Sequence, residues 1–473
     1  MPTKIKSASR VAASSKNGKK PRKTATAGGE LSHDLIGNFH ADFLKEERFL
    51  LARNAVANAS IHSVSKSRSR VTQSHHSFSH QLKVGAATSQ NASGRCWLFA
   101  GLNVMRVVAM KKMNVDDKFE LSQSYLMFWD KLEKANYFLE NILATLDEPV
   151  GSRLFDWLLA SPIQDGGQWD MFVNLINKYG VIPKSVMPET DSSGNTGAMN
   201  MLITAKLREY ACRLRSESKK ANSSELRKLK EQMISEVYRM LCIHSGEPPT
   251  KFNWQWRDKS DKFHRDGTIT PKKFYKKHIG TNLDDYVCLI NCPQSAKKYN
   301  TMYTVEYLGN MVGGHPIRYL NVDIETMKQA ASKQIVAGES VWFGCDVGKM
   351  LERDIGLLDL EIYDYELVYG TKPSLNKAER LDYGQSCMTH AMVFTGVDID
   401  EKNKPKKWRV ENSWGEKSGD KGFLLMTDRW FDEYMYEVVV NKKHVAKKLL
   451  ALLDTKVHKL PPWDPMGTLA SAK

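Results

Sequence analysis

One stretch, Gln90-Asn-Ala-Ser-Gly-Arg-Cys96-Trp97-Leu-Phe-Ala, constrains this chain more than any other. From Cys96 to about residue 113 the sequence is apolar, free of proline and poor in turn formers, interrupted by Arg106. It predicts a central, buried helix. Two distant strings must come to its start. Met-Thr-His390-Ala-Met-Val sets a histidine before an apolar strand, and Trp-Arg-Val-Glu-Asn412-Ser-Trp414-Gly sets an asparagine at a strand end.

The order of elements around these strings predicts the architecture. From Ser32 to about Ser60, Phe39, Phe43, Phe49 and Leu50 recur among charges at helical spacing, as in an amphipathic helix. Residues 60–80, rich in Ser and His, read as an extended connector, and their four histidines as solvated or packed. A long helix starts near Ser122, its cap. A turn at Gln164–Asp170 opens another that Gly180 and Pro183 stop. From Gly197 to about His244 a charged, leucine-spaced pattern predicts an inserted pair of helices, set against a neighbouring subunit or forming a solvated hairpin. After Lys251 strand formers dominate, with a turn at Gly313-Gly314 between two strands. The chain therefore reads as α+β, with a helical lobe and a β-rich lobe flanking a cleft. Its segments are a basic extension (1–30), an arm and connector (31–90), a helical catalytic lobe (91–195), the insertion (196–250), a β-rich lobe (251–455) and a tail (456–473).

Charge and cysteines narrow the setting. The formal charge is +15, and eight basic residues with no acid lie in positions 1–29, leaving +7 for the rest. That segment is expected to be disordered. It reads as a solubilising tail, a nuclear or nucleic-acid-contacting patch at Lys19–Lys23, or a mitochondrial presequence. No secretory signal and no apolar run of membrane-spanning length is present. Seven scattered cysteines without a signal peptide point to free thiols in a reducing compartment, the cytoplasm first, with a mitochondrial or nuclear fraction as the alternative. Cys288 and Cys292 look like a strand entering a turn at Pro293, with no second ligand pair for zinc. No metal or organic cofactor is expected.

The chemistry follows from what a thiol needs. A thiolate attacks where a thiol does not, and both the positive helix end at Cys96 and an imidazolium at His390 would lower the thiol pKa. Asn412 can orient the imidazole, and Trp414 can cover that bond. The Cys96 backbone N–H and the Gln90 side-chain amide are candidate oxyanion donors. Gly166 and Gly167, lacking side chains, would let an extended substrate backbone approach. Taken singly, a thiol heading an apolar helix is a core residue, a histidine before a strand is structural, and Gly-Gly is a turn. Their conjunction, in this order, is a cysteine-hydrolase pattern.

These strings resemble the papain-type cysteine peptidases, in the branch of bleomycin hydrolase and aminopeptidase C. Ser93-Gly94-Arg95-Cys96-Trp97 looks like the nucleophile segment. Leu121-Ser-Gln-Ser-Tyr-Leu, Phe128-Trp-Asp-Lys-Leu-Glu-Lys-Ala-Asn-Tyr-Phe, Asp165-Gly-Gly-Gln-Trp-Asp-Met and Pro462-Trp-Asp-Pro-Met-Gly467 are similar too. The resemblance implies a papain-like fold and a homohexamer built by the insertion and the arm. It implies an aminopeptidase acting on peptides through an acyl-enzyme thioester, and in some members on bleomycin amide or homocysteine thiolactone. Gln90 would be the oxyanion donor, Cys96 the nucleophile, His390 the acid/base and Asn412 its orienter. The C-terminal tail would lie in the cleft, ending near Ala470. Residues 471–473 run past that point, so their trimming is expected. The alternative function is nucleic-acid binding by the basic surface and tail, for which no base-reading motif is present.

Overall fold

A computed structural model describes residues 29–470. All but the last two residues of the basic extension, and the three terminal residues expected to be trimmed, lie outside the described residues.

The chain divides into two units. The smaller holds the described residues up to Val64 together with Leu367–Gly370. Where one amphipathic helix is expected, the chain forms two, His33–Lys45 and Glu47–Asn58. Glu46 between them is extended (φ −101°, ψ 99°). That break lets the rings of Phe43 and Phe49 stack with centroids 6.2 Å apart, with Arg48 over Phe49 at 4.8 Å. Ser32 caps the first helix by accepting the Leu35 N–H. Neither helix buries a residue.

The larger unit comprises the described residues from Ser65 onward, apart from Leu367–Gly370. Residues 60–80, expected to be extended, run from the smaller unit into this one and contain two short helices, Ile61–Ser65 and Arg68–Gln73. The first is started by the Ser60 hydroxyl, which accepts the Ser63 N–H, a local bond that competes with extended structure. The helix Cys96–Met113 forms as expected and ends on Asn114 in the left-handed region (φ 52°). The interrupting Arg106 is buried inside it, its guanidinium 2.7 Å from Glu411, itself buried. This ion pair ties the central helix to the residue before Asn412.

Other helices surround this one. Gln123–Ala144 starts at Ser122, whose hydroxyl accepts the Tyr125 N–H. Trp169–Tyr179 stops at Gly180, whose φ of +73° and contact with the Pro271 backbone leave no room for a side chain. The leucine-spaced insertion is the helix pair Gly197–Glu217 and Ser223–Ser245.

The strands are β1 His80–Gln81, β2 Phe252–Arg257, β3 Phe263–Ile269, β4 Tyr286–Ile290, β5 Thr301–Val305, β6 Tyr319–Asn321 and β7 Val341–Cys345, followed by β8 Leu351–Glu352, β9 Leu357–Leu358, β10 His390–Ile399, β11 Pro405–Glu411, β12 Phe423–Thr427, β13 Met435–Asn441 and β14 Val457–Leu460. β2 and β3 form a hairpin of their own. The rest make one sheet in the order β14-β5-β6-β4-β13-β7-β10-β11-β12-β9-β8, with β1 also on β10. Gly313 does lie in the connection between two strands, the antiparallel pair β5 and β6. One face of the sheet packs on the helices around Trp97, Phe128 and Phe172. The other, around Phe343, Phe394 and Trp408, is covered by the helix Ile324–Val336. The α+β reading holds, with the central helix packed on β10.

Candidate active site

The start of the central helix is held from below. Arg95, fully buried, makes a two-pronged bond to Glu189 (3.1 and 2.8 Å) and donates to the Ser93 hydroxyl at 2.9 Å. This sets the turn that presents Cys96. The thiol lies against the sheet, its Sγ accepting the Ala391 N–H at 3.4 Å. The preceding residue, His390, opens β10 and lines the same cleft.

Asn412 follows the last residue of β11. Its Oδ1 lies 2.9 Å from His390 Nε2 and also accepts the Ser413 backbone N–H at 2.8 Å. A backbone N–H can only donate, so the atom facing it is the carbonyl oxygen. His390 Nε2 must then carry the proton, leaving Nδ1 as the free base for the thiol. Trp414 stands over the imidazole with centroids 5.0 Å apart, and Arg353 lies 4.5 Å over the Trp414 ring.

Gln90 is brought to the same point by the residue after Asn412. The Gln90 N–H donates to the Ser413 carbonyl at 2.8 Å, and the Ser413 hydroxyl donates to Gln90 Oε1 at 2.6 Å. Gln90 Nε2 donates to the Ser93 carbonyl. The amide is therefore oriented with its nitrogen toward the nucleophile loop.

The cleft has a volume of about 580 Å³ and is lined by Cys96, His390, Gln90, Gly94 and Gly166, with Thr468 and Leu469 from the tail. Size does not mark the site, since a hollow of about 1080 Å³ beside Arg70 and Tyr363 contains no thiol. The two glycines separate in role. Gly166 faces the cleft, whereas Gly167 is buried, and a Cβ on it would meet the Trp97 indole at 2.5 Å. Its missing side chain makes room for Trp97 of the helix Cys96–Met113 rather than for substrate. Trp414 covers His390 without lining the tail-filled part of the cleft. Ala470 closes the 3-10 helix Pro465–Ala470.

Asp165 is a residue for which sequence reasoning assigned no role. Its carboxylate accepts the Gly94 N–H (2.7 Å), Lys131 (2.6 Å), Asn200 (2.8 Å) and the Thr196 hydroxyl (2.5 Å). Lys134 pairs with Asp130 at 2.7 Å and donates to the carbonyls of Gln164 and Gly166. Together they pin the glycine turn to the loop that precedes Cys96. The spacing Asp130-Lys131-x-x-Lys134 on one helix face was the available signal.

Burial sets the electrostatics. The Cys96 thiol is pushed up to about 11 by burial, against the pull of the Ala391 and Trp97 N–H groups. His390 is pushed down to about 4 by burial, which outweighs its bond to Asn412. A lowered thiol pKa was expected; here desolvation outweighs the N–H groups at the helix start and favours the neutral thiol and the neutral imidazole. Burial also works against Asp165, but Lys131 and its other donors hold that carboxyl below the usual carboxylate range. All seven cysteines are free. Among the described residues none cluster to hold a metal, and no helix is long and apolar enough to cross a membrane.

Residues 30–467 match the family described as Peptidase C1-like. Bleomycin hydrolase of Rattus norvegicus is 46% identical over 90% of this chain and 96% of its own length. Aminopeptidase C of Listeria innocua is 47% identical over 91% of this chain and 94% of its own. The crystal structure of PepW from Lactobacillus rhamnosis HN001 superposes with a TM-score of 0.91 at 46% identity, covering 93% of this chain and 99% of that one.

Proposed function

The chain belongs to the Peptidase C1-like family, and from that premise we propose that Cys96, His390, Asn412 and Gln90 perform its reaction. The enzyme is a cysteine aminopeptidase with a papain-like fold. In the proposed mechanism His390 Nδ1 takes the Sγ proton as sulfur bonds to the scissile carbonyl carbon. The oxyanion accepts the Cys96 N–H and a Gln90 Nε2–H. Collapse expels the amine, which takes the proton back from Nδ1, and leaves a thioester. Water then gives its proton to Nδ1, attacks the thioester, and releases the acid and the thiol.

The observation that carries this reading is Asn412 Oδ1 accepting from both Ser413 N–H and His390 Nε2, since it sets the tautomer that leaves Nδ1 for sulfur. Gly166 borders the path of the substrate backbone, and Trp414 keeps water from the His390–Asn412 bond. The tail, ending near Ala470, closes the non-primed side, so that a free N-terminus is read. Peptides are the substrates. Bleomycin amide, which the relatives' name implies, and homocysteine thiolactone offer the same free amine near a carbonyl. A homohexamer fits the apolar residues that the arm leaves uncovered, and seven free thiols fit the cytoplasm.

The test is release of a fluorophore from single amino-acid amides beside their N-acetylated forms, with and without a thiol alkylator. Cleavage of the free-amine forms alone, lost on alkylation and in Cys96→Ala, is expected. Equal cleavage of both forms would remove the tail from the reading, and activity in folded Cys96→Ala would remove the nucleophile.

A further inference from the structure

The C-terminal segment enters the cleft from a charged anchor. After β14 pairs with β5, the chain turns through Pro461 and Pro462 and continues as the helix Pro465–Ala470. At the head of that helix the Asp464 carboxylate lies 2.7 Å from Lys297 Nζ, the two side chains only 8% and 6% exposed. The same carboxylate accepts the Met466 N–H at 2.9 Å and so also caps the helix. Lys297 is held on its far side. Its Nζ donates to Gln294 Oε1 at 2.5 Å, its carbonyl accepts from Asn321 at 3.2 Å, and Gln294 donates on to Asp382.

Beyond the anchor the contacts are neutral and reach the catalytic floor. The Tyr319 hydroxyl donates to the Met466 carbonyl at 3.2 Å, and the Thr468 hydroxyl donates at 2.8 Å to the carbonyl of Met388, two residues before His390. Thr468 and Leu469 then line the cleft with Cys96. At roughly 2 Å of rise per residue, Asp464 and Thr468 are about 8 Å apart along a stiff turn. A shift at the anchor is a shift in the cleft.

We propose that the Lys297–Asp464 pair is a latch that sets how far the C-terminal segment reaches into the cleft, making both residues positioning determinants of specificity for a free N-terminus. The proposal rests on the reading that this segment closes the non-primed side. An ion pair with both members buried is held by mutual compensation, and removing one member leaves a buried lone charge. The least costly escape is for the segment carrying Asp464 to swing into water, because beyond the anchor it is held by neutral hydrogen bonds such as those of Tyr319 and Thr468. Replacing both charges with neutral side chains, with Asn at 464 still able to accept the Met466 N–H, leaves no charge to escape, so the segment stays.

The experiment compares the wild type, Lys297→Met and Lys297→Met/Asp464→Asn on a free-amine aminoacyl amide and an N-acetylated dipeptidyl amide. Active-site thiol titration counts folded enzyme in each. In Lys297→Met, cleavage of the acetylated substrate should rise on the order of tenfold or more, as the open form gains population, and KM for the free-amine substrate should rise too. The double variant should return to wild-type discrimination, a rescue that general loosening of the fold would not give. Folded Lys297→Met with wild-type discrimination overturns the latch. Should that variant fail to fold, Asp464→Asn leaves the Lys297 ammonium as the lone buried charge, which water reaches only when the segment lifts, and must show the same change to a smaller degree; no change there overturns the latch as well. Wild type that cleaves both substrates equally overturns the closed-cleft reading itself, an outcome separate from either variant.

Discussion

Asn412 and Ser413 are neighbours in the chain and serve two different groups. Asn412 holds the imidazole through Oδ1, while the Ser413 hydroxyl holds Gln90 Oε1. The dipeptide thus couples His390, the proposed base, to Gln90, the proposed oxyanion donor. Gln90→Ala should lower kcat on the order of 10²-fold, as the loss of a single oxyanion donor does. Ser413→Ala removes one neutral bond and should cost roughly 3–10-fold. The double variant should lose no more than Gln90→Ala alone, because Ser413 acts through Gln90. Additive losses in a cycle of kcat values would refute the coupling. A second prediction concerns pH. His390 titrates near 4, pushed down by burial, and a protonated ring cannot accept the thiol proton. The acid limb of kcat/KM should therefore fall as pH drops through about 4, not through the ordinary histidine value of about 6.5. A limb at 6.5 would mean that water reaches the ring in the working enzyme.

Among the elements, legibility followed locality. The helix Cys96–Met113 and the strands β4, β7 and β10 were readable because apolar residues and punctuation agree within each segment. The break at Glu46 was not, since it depends on Phe43 meeting Phe49 across a bend that has no Gly or Pro. The helix Ile324–Val336 was overlooked inside a β-rich stretch, although Asp323 caps it by accepting the Thr326 N–H. Gly167 read as a substrate contact because a sequence does not reveal that the Trp97 indole fills its space. Cys96, His390, Asn412 and Gln90, which the structure brings to one cleft, could be picked out by type and order, whereas Asp165 and the buried acids could not, because their meaning lies in long-range partners.

Glu437 is such a case. It lies on β13 with both carboxyl oxygens buried beside the Cys288 thiol, and burial, reinforced by Asp170 and only partly offset by the Cys288 bond, pushes it up to about 8. The folded chain keeps this acid neutral, while the unfolded chain releases its proton above about 4.5. Its contribution is thus fully present below that value and is lost as pH rises toward 8. Glu437→Gln should remove this dependence and stabilise the protein at pH 8 by on the order of a few kcal/mol. Thermal unfolding of both proteins at pH 5 and pH 8 checks it. Equal pH slopes would show that the acid is not neutral in the fold.

At the scale of the whole molecule, the arm and the catalytic unit differ in what holds them. The catalytic unit has apolar cores on both faces of its sheet, whereas the arm helices bury nothing. Leu35, Ile36, Phe39, Leu44 and Leu51 are 38–71% exposed, a spacing and exposure typical of a surface that meets a partner. If that partner is another copy, the arm contributes to assembly and not to the chemistry. Deleting residues 1–58 should then reduce the mass of the particle measured by light scattering. Turnover per titrated thiol on a single amino-acid amide should stay within about twofold, because such a substrate needs only the cleft and no arm residue lines it. An unchanged mass would take the arm out of assembly. A reduced mass with lost turnover would mean that the cleft is completed by a neighbouring copy, and the tail would then be only one of two walls around the substrate's N-terminus.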